Sequence, residues 1–138
     1  EYNLTRFVKF VNRFLPLKEL ITYLRATNIY VASQINPQQY VSGTLAYALG
    51  CGKAVISTPF SYAQEVIGDK RGILVKFKDY LSIAKALREL LSDPDKKRQV
   101  EESAYIFSRE MTWSFVAIQY VDLLRSIIYE HREYEKSR

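Results

Sequence analysis

Among the residue types able to do chemistry, one grouping has useful spacing. Ser42-Gly43-Thr44 stands between two apolar runs, Ile29–Ala32 and Ala54–Ser57. Ser42 is a good N-cap, and Gly43 has no Cβ to hold a phosphate away from the main chain. A helix that starts just past the carboxyl end of a buried parallel strand points unpaired N–H groups into the crevice where open α/β sheets hold ligands. Other chemistry is sparse. The sole histidine, His131, lies in a charged tail. The sole cysteine, Cys51, sits between Gly50 and Gly52 and reads as a tight helix-end contact rather than a nucleophile. The sequence offers no metal-ligand cluster, complete hydrolase triad, P-loop or Gly-x-Gly-x-x-Gly run, so neither a metal nor a cofactor is expected. Spacing alone leaves two readings of Ser42-Gly43, a main-chain phosphate cradle or the plain cap of a core helix, and favours the second.

The flanking elements alternate. Phe7–Val11 has the alternation of a strand, with Lys9 making it an edge or half-buried one. Pro16 opens a helix striped by Leu17, Leu20, Ile21 and Leu24, and Asn28 closes it before the strand at Ile29. After the strand Ala54–Ser57, Thr58-Pro59-Phe60-Ser61 signals a loop; a short helical turn around Ala63–Ile67 stops at Gly68. Gly72–Val75 reads as a third buried strand. Asp79 caps a helix carrying Ile83, Leu87, Leu90 and Leu91, and Asp93-Pro94 ends it and starts another with Val100, Ala104, Phe107 and Met111 on one face. Thr112 caps a last long helix striped by Trp113, Val116, Ala117, Tyr120, Leu124 and Ile127. This order predicts an α/β fold, a Rossmann-like open parallel sheet with helices on both faces.

Composition sets outer bounds. A chain of 138 residues, 48% hydrophobic and 25% charged, suits one soluble globular domain able to bury a core without disulfides. One cysteine permits no internal disulfide, so a reducing compartment, the cytoplasm, is the simple expectation. No run is apolar enough to span a bilayer, and no signal peptide is visible. The chain starts at Glu1 rather than methionine and reads as an excised piece. Twenty basic against 15 acidic residues give a net charge of +5, scattered over what read as solvated helix faces. That excess allows a weak pull toward anionic membrane surfaces or nucleotide phosphates. No motif supports nucleic-acid binding.

The run SGTLAYALGCGKAVISTPFSYAQEVIGDKRGILVKFKD, with the later LLSDPDKKR and MTWSFVAIQY, resembles the group-1 family of retaining glycosyltransferases with the GT-B fold. The resemblance covers nearly the whole chain, roughly Phe7 to Ile127. It implies that residues 1–138 are most of a single C-terminal, nucleotide-sugar-binding domain, without the earlier strand–helix units and the N-terminal acceptor domain. It implies a nucleotide diphosphate sugar as substrate, no cofactor, a glycan or lipid-linked acceptor and a place in polysaccharide biosynthesis. A cytoplasmic setting, with peripheral contact at the inner face of a membrane, would follow.

The family's two glutamates, eight positions apart, fall on Gln39 and Tyr47. Gln39 is then expected at the donor sugar, Ser42, Gly43 and Thr44 at the diphosphate, and Tyr47 at the ribose or base. Neither Gln39 nor Tyr47 supplies a carboxylate's charge. Glu65, in AQEVI, either caps its turn or pairs with Lys70 or Arg71, or else contacts donor or acceptor hydroxyls. Ser61 and Tyr62 stand where the family often has paired glycines. Three readings stay open: a glycosyltransferase donor domain, inactive alone; a GT-B-like binding or scaffolding module that has lost both carboxylates; and an unrelated doubly wound domain of the receiver or flavodoxin type.

Overall fold

The computed structural model describes residues 4–68 and 70–136. The frame is a parallel three-stranded sheet in the order β1 (Ile29–Ala32), β2 (Ala54–Ser57), β3 (Ile73–Leu74). Ile29 lies opposite Ala54 and Ala32 opposite Ser57, while Ile56 and Ser57 face Ile73 and Leu74. Every residue of β2 is buried, as its central position and its run of small and branched side chains require.

Strand alternation sorts the side chains onto two faces. On one, Ala32 and Val55 meet Leu24 of α1 (Leu17–Ala26), Leu45, Ala48 and Leu49 of α2 (Gly43–Gly50), and Ala63, Val66 and Ile67 of α3 (Ser61–Ile67). On the other, Ala54 and Ile56 meet Ala86 and Leu90 of α4 (Tyr80–Ser92) and Val100 of α5 (Pro94–Arg109). Helices therefore cover both faces, as the alternation of elements predicts. The last helix, α6 (Trp113–Lys136), buries none of its residues. Among the described residues no helix is long and apolar enough to cross a membrane.

Local chemistry sets the element ends. Asp79 and Asp93 each accept a main-chain N–H of the helix they precede, from Ser82 and Lys96. The turn out of α2 is a Schellman motif. Gly52 N–H bonds Leu49 O at 2.9 Å and Lys53 N–H bonds Ala48 O at 3.1 Å, with Gly52 at φ 63°. Cys51 is thus the helix end that its flanking glycines suggest. Gly72 is fixed by close approach, since a Cβ there would lie 2.7 Å from both Val55 O and Ile67 Cγ2.

Five expectations are corrected. Phe7–Val11 is no strand: Phe7 and Val8 N–H groups turn back to Leu4 O, and Phe7 and Phe10 are exposed. Alternation alone does not make a strand when no neighbouring strand offers a ladder, and both partners of β2 lie elsewhere. The third strand is an edge strand of two residues with Leu74 exposed, because no strand among the described residues pairs beyond it; of Gly72–Val75 only Val75 is buried. Leu91 points to solvent, and Met111 falls beyond the end of α5. Thr112 does precede α6, but its hydroxyl donates to Arg109 O at 2.8 Å.

Candidate functional site

Parallel strands deliver both β1 and β2 to one sheet edge, and two helices, α2 and α3, begin there. Their first turns are treated differently. At α2, Ser42 is buried and extended, and its Oγ accepts the Leu45 N–H at 3.4 Å. Ala46 N–H reaches Ser42 O at 3.0 Å. Gly43 and Thr44 are exposed, and their N–H groups have no partner among the described residues. A Cβ built on Gly43 would meet only Tyr47 Cε2, at 4.0 Å. The helix head is therefore open space bordered by one ring edge. The Tyr30 hydroxyl donates to Thr44 Oγ1 at 2.9 Å, which leaves the threonine's own proton available to an incoming oxygen.

At α3 the equivalent amides are taken. Ser61 N–H bonds Pro37 O at 2.9 Å and Tyr62 N–H bonds Gln39 O at 3.1 Å. The Ser61 hydroxyl donates to the same Pro37 carbonyl at 3.1 Å. No side chain caps this helix at Phe60; the loop from β1 does it instead. Deeper in, Thr58 N–H and Ser57 Oγ bond Ala32 O at 3.1 and 3.2 Å, and Thr58 Oγ1 donates to Gln34 O at 2.6 Å. The loop between β1 and α2 is thus fastened along its length to the connection after β2.

The expected residues take these places. Gln39, half-buried in that loop, donates from Nε2 to Val41 O at 3.0 Å, which leaves its second N–H and its Oε1 without a partner among the described residues. Tyr47 lies one turn below Gly43 and is 41% exposed. Its ring also lines a cavity of about 340 Å³ with Arg25, Cys51 and Arg109. Arg109 reaches from α5 to the end of α2, donating to Gly50 O at 2.9 Å, and stacks on Tyr105. Glu65 is exposed, and its carboxylate neither caps a turn nor forms an ion pair among the described residues. Arg71 instead donates to the carbonyls of Val66 and Glu65 and lies over the Phe107 ring. Burial, with a smaller contribution from the Glu65 charge, lifts the Tyr62 phenol above its usual range. His131, exposed on α6, has Glu135 as its neighbour at 3.4 Å.

Ser42, Gly43, Thr44, Gln39 and Tyr47 thus belong to one neighbourhood around the head of α2, and Glu65 stands apart on α3. Sequence reasoning missed Tyr30 and the fastening role of Thr58 and Ser61. Tyr30 precedes Thr44 by 14 positions, and no motif announces such a bond. A wider concavity, about 890 Å³, lies between the free edge of β3 and α5, lined by Lys70, Gly72, Asp93, Lys96 and Gln99. It includes none of the expected site residues. No three His, Cys, Asp or Glu side chains among the described residues group as metal ligands.

Known proteins resemble this chain in sequence and in fold. The chain is 29% identical over 128 residues to a D-inositol 3-phosphate glycosyltransferase of Corynebacterium urealyticum, covering 92% of this chain and 30% of that protein. Its fold matches a sucrose-phosphate synthase from Thermosynechococcus elongatus with a TM-score of 0.76 and 24% identity, over 94% of this chain and 32% of the other. An Anabaena protein, HepE, solved in complex with UDP, matches with a TM-score of 0.64 and 19% identity, over 75% of this chain and 29% of its own. The chain spans under a third of the curated relatives it matches. The sequence profile described as Glycosyl transferases group 1 covers residues 1–107, and the chain belongs to that family.

Proposed function

We propose that this chain is the C-terminal, donor-binding part of a glycosyltransferase that moves a sugar from a nucleotide diphosphate sugar to a glycan or lipid-linked acceptor. The carrying observation is the pair of unpartnered amides at Gly43 and Thr44, exposed at the sheet edge where α/β folds hold ligands. A diphosphate oxygen there receives those N–H groups, the Thr44 hydroxyl and the positive end of α2. The dipole contributes ~0.3–1 kcal/mol at an exposed site. Charge-assisted bonds add ~1.5–3 kcal/mol each before association costs are subtracted. Millimolar affinity needs about 4 kcal/mol net, within reach of such a cradle alone. Gln39 Oε1 accepts from a donor-sugar hydroxyl, and Tyr47 offers its ring to the ribose or base. The acceptor is held by the opposite domain of a GT-B pair, and a cytoplasmic enzyme meeting a lipid-linked acceptor works at the inner face of a membrane.

A second reading, a binding module of the same family without catalysis, is favoured by the two neutral side chains at positions 39 and 47. Titration of the chain with UDP and with GDP, followed by amide NMR shifts, tests the cradle. Gly43 and Thr44 are expected to move first, with the engaged amides of Ser61 and Tyr62 nearly still. Shifts that avoid Gly43 and Thr44 with both nucleotides refute it. If the cradle binds but turnover is absent from the whole enzyme supplied with acceptor, the second reading stands.

A further inference from the structure

Ser61 makes two bonds to one carbonyl. Its main-chain N–H and its hydroxyl both donate to Pro37 O, at 2.9 and 3.1 Å, and the next amide, Tyr62 N–H, takes Gln39 O at 3.1 Å. Either main-chain bond alone would satisfy an orphan donor at the head of α3. The hydroxyl is additional, and it acts on the peptide just before the Gln38–Gln39 step. Gln39, further along the same loop, is oriented by its own bond from Nε2 to Val41 O, and its Oε1 has no partner among the described residues. The nucleotide end of the site is anchored separately, through Ser42, Leu45 and Leu49, all buried.

We propose that Ser61 is a positioning residue for the donor sugar, fixing through the Pro37 carbonyl the loop that carries Gln39. This rests on the donor-site reading above. Loss of the hydroxyl leaves the main-chain bonds of Ser61 and Tyr62 in place but loosens the loop ahead of Gln39, while the α2 head keeps its cap and its free amides. Sugar recognition therefore suffers and diphosphate recognition does not.

The test compares wild type, Ser61→Ala and Ser61→Thr by calorimetry with UDP, UDP-glucose, GDP and GDP-mannose, using the pair that wild type binds. Ser61→Ala is expected to weaken the nucleotide sugar about three- to tenfold, the fold-change of one neutral hydrogen bond, and to leave the bare diphosphate within about twofold. Ser61→Thr, which keeps the hydroxyl, is expected to restore the wild-type ratio. Melting curves of the three proteins identify a variant that has lost its fold, in which case Ser61→Thr alone decides by retaining or losing the ratio. Equal weakening of sugar and diphosphate, or no change in either, overturns the proposal while leaving the cradle in place. Wild type blind to all four ligands overturns the donor-site reading, and this proposal with it.

Discussion

Replacing Gly43 with alanine separates site from fold. The new Cβ would approach nothing nearer than Tyr47 Cε2 at 4.0 Å, an ordinary contact, and Gly43 is not among the residues with positive φ. The fold should therefore accept it. Gly→Ala at a compatible position stabilises by ~0.4–1 kcal/mol through the unfolded chain, which raises the melting temperature by about 2–5 °C for a domain of this size. Binding should move the other way. The methyl group occupies space through which a phosphate oxygen approaches the Gly43 and Thr44 amides. Losing one charge-assisted bond there costs ~1.5–3 kcal/mol, about ten- to a hundredfold in Kd. Differential scanning fluorimetry and calorimetric titration with UDP or GDP read the two effects on one sample. A more stable variant that binds as tightly as wild type would refute the cradle. A destabilised one would refute the claim that the helix head is open.

Tyr30→Phe removes the bond to Thr44 Oγ1 and should weaken nucleotide binding about fivefold, the worth of one hydrogen bond. Thr44→Ala should weaken it at least as much and the double variant no further, and additivity in that cycle would show that the two hydroxyls act apart. Gly72→Ala forces a Cβ to within 2.7 Å of Val55 O, main chain that cannot swing aside; urea denaturation should show a loss of ~1–3 kcal/mol or more, and a loss under ~0.5 kcal/mol would contradict the packing. Arg13 bonds Glu19, from Nη1 to Oε2 at 3.0 Å, and holds that carboxyl below its ordinary value. A depressed carboxylate favours the fold at neutral pH, and its contribution fades as pH falls through the folded pKa. Arg13→Ala should raise the Glu19 midpoint in a carbon-detected NMR titration, and an unmoved midpoint would mean that the pair does not persist in solution.

How far the sequence carried depended on whether a signal was local. Ser42, Asp79 and Asp93 are caps within a turn of the amides they bind, and Pro94 and Gly52 punctuate within a residue or two, so helix starts and stops were legible. Strand identity was legible where burial on both faces demanded a continuous apolar run, as in Ala54–Ser57. It failed at Phe7–Val11, whose alternation resembles an amphipathic strand but has no ladder to join. The site followed the same divide. Ser42, Gly43 and Thr44 were visible as a cap and a gap, whereas Tyr30, Thr58 and Ser61 act across 14 to 26 positions and have no local signature.

The contrast between two helix heads is what singles out one of them as the proposed site. In a parallel sheet every crossover helix starts at the same edge, so topology alone offers α2 and α3 as equal anion sites. Chain chemistry breaks the tie. The α2 head has a serine whose side chain satisfies a single deeper amide, followed by a residue with no side chain at all, so two N–H groups stay exposed. The α3 head has Phe60 at its cap position, with a side chain that is buried in the core and cannot accept a bond, and its orphan amides draw in the carbonyls of Pro37 and Gln39. Satisfying α3 therefore positions the loop that borders α2. The helix whose amides are engaged holds in shape the mouth of the helix whose amides are free, and exchanging a capping side chain between positions 42 and 60 would exchange those roles only if that loop were released as well.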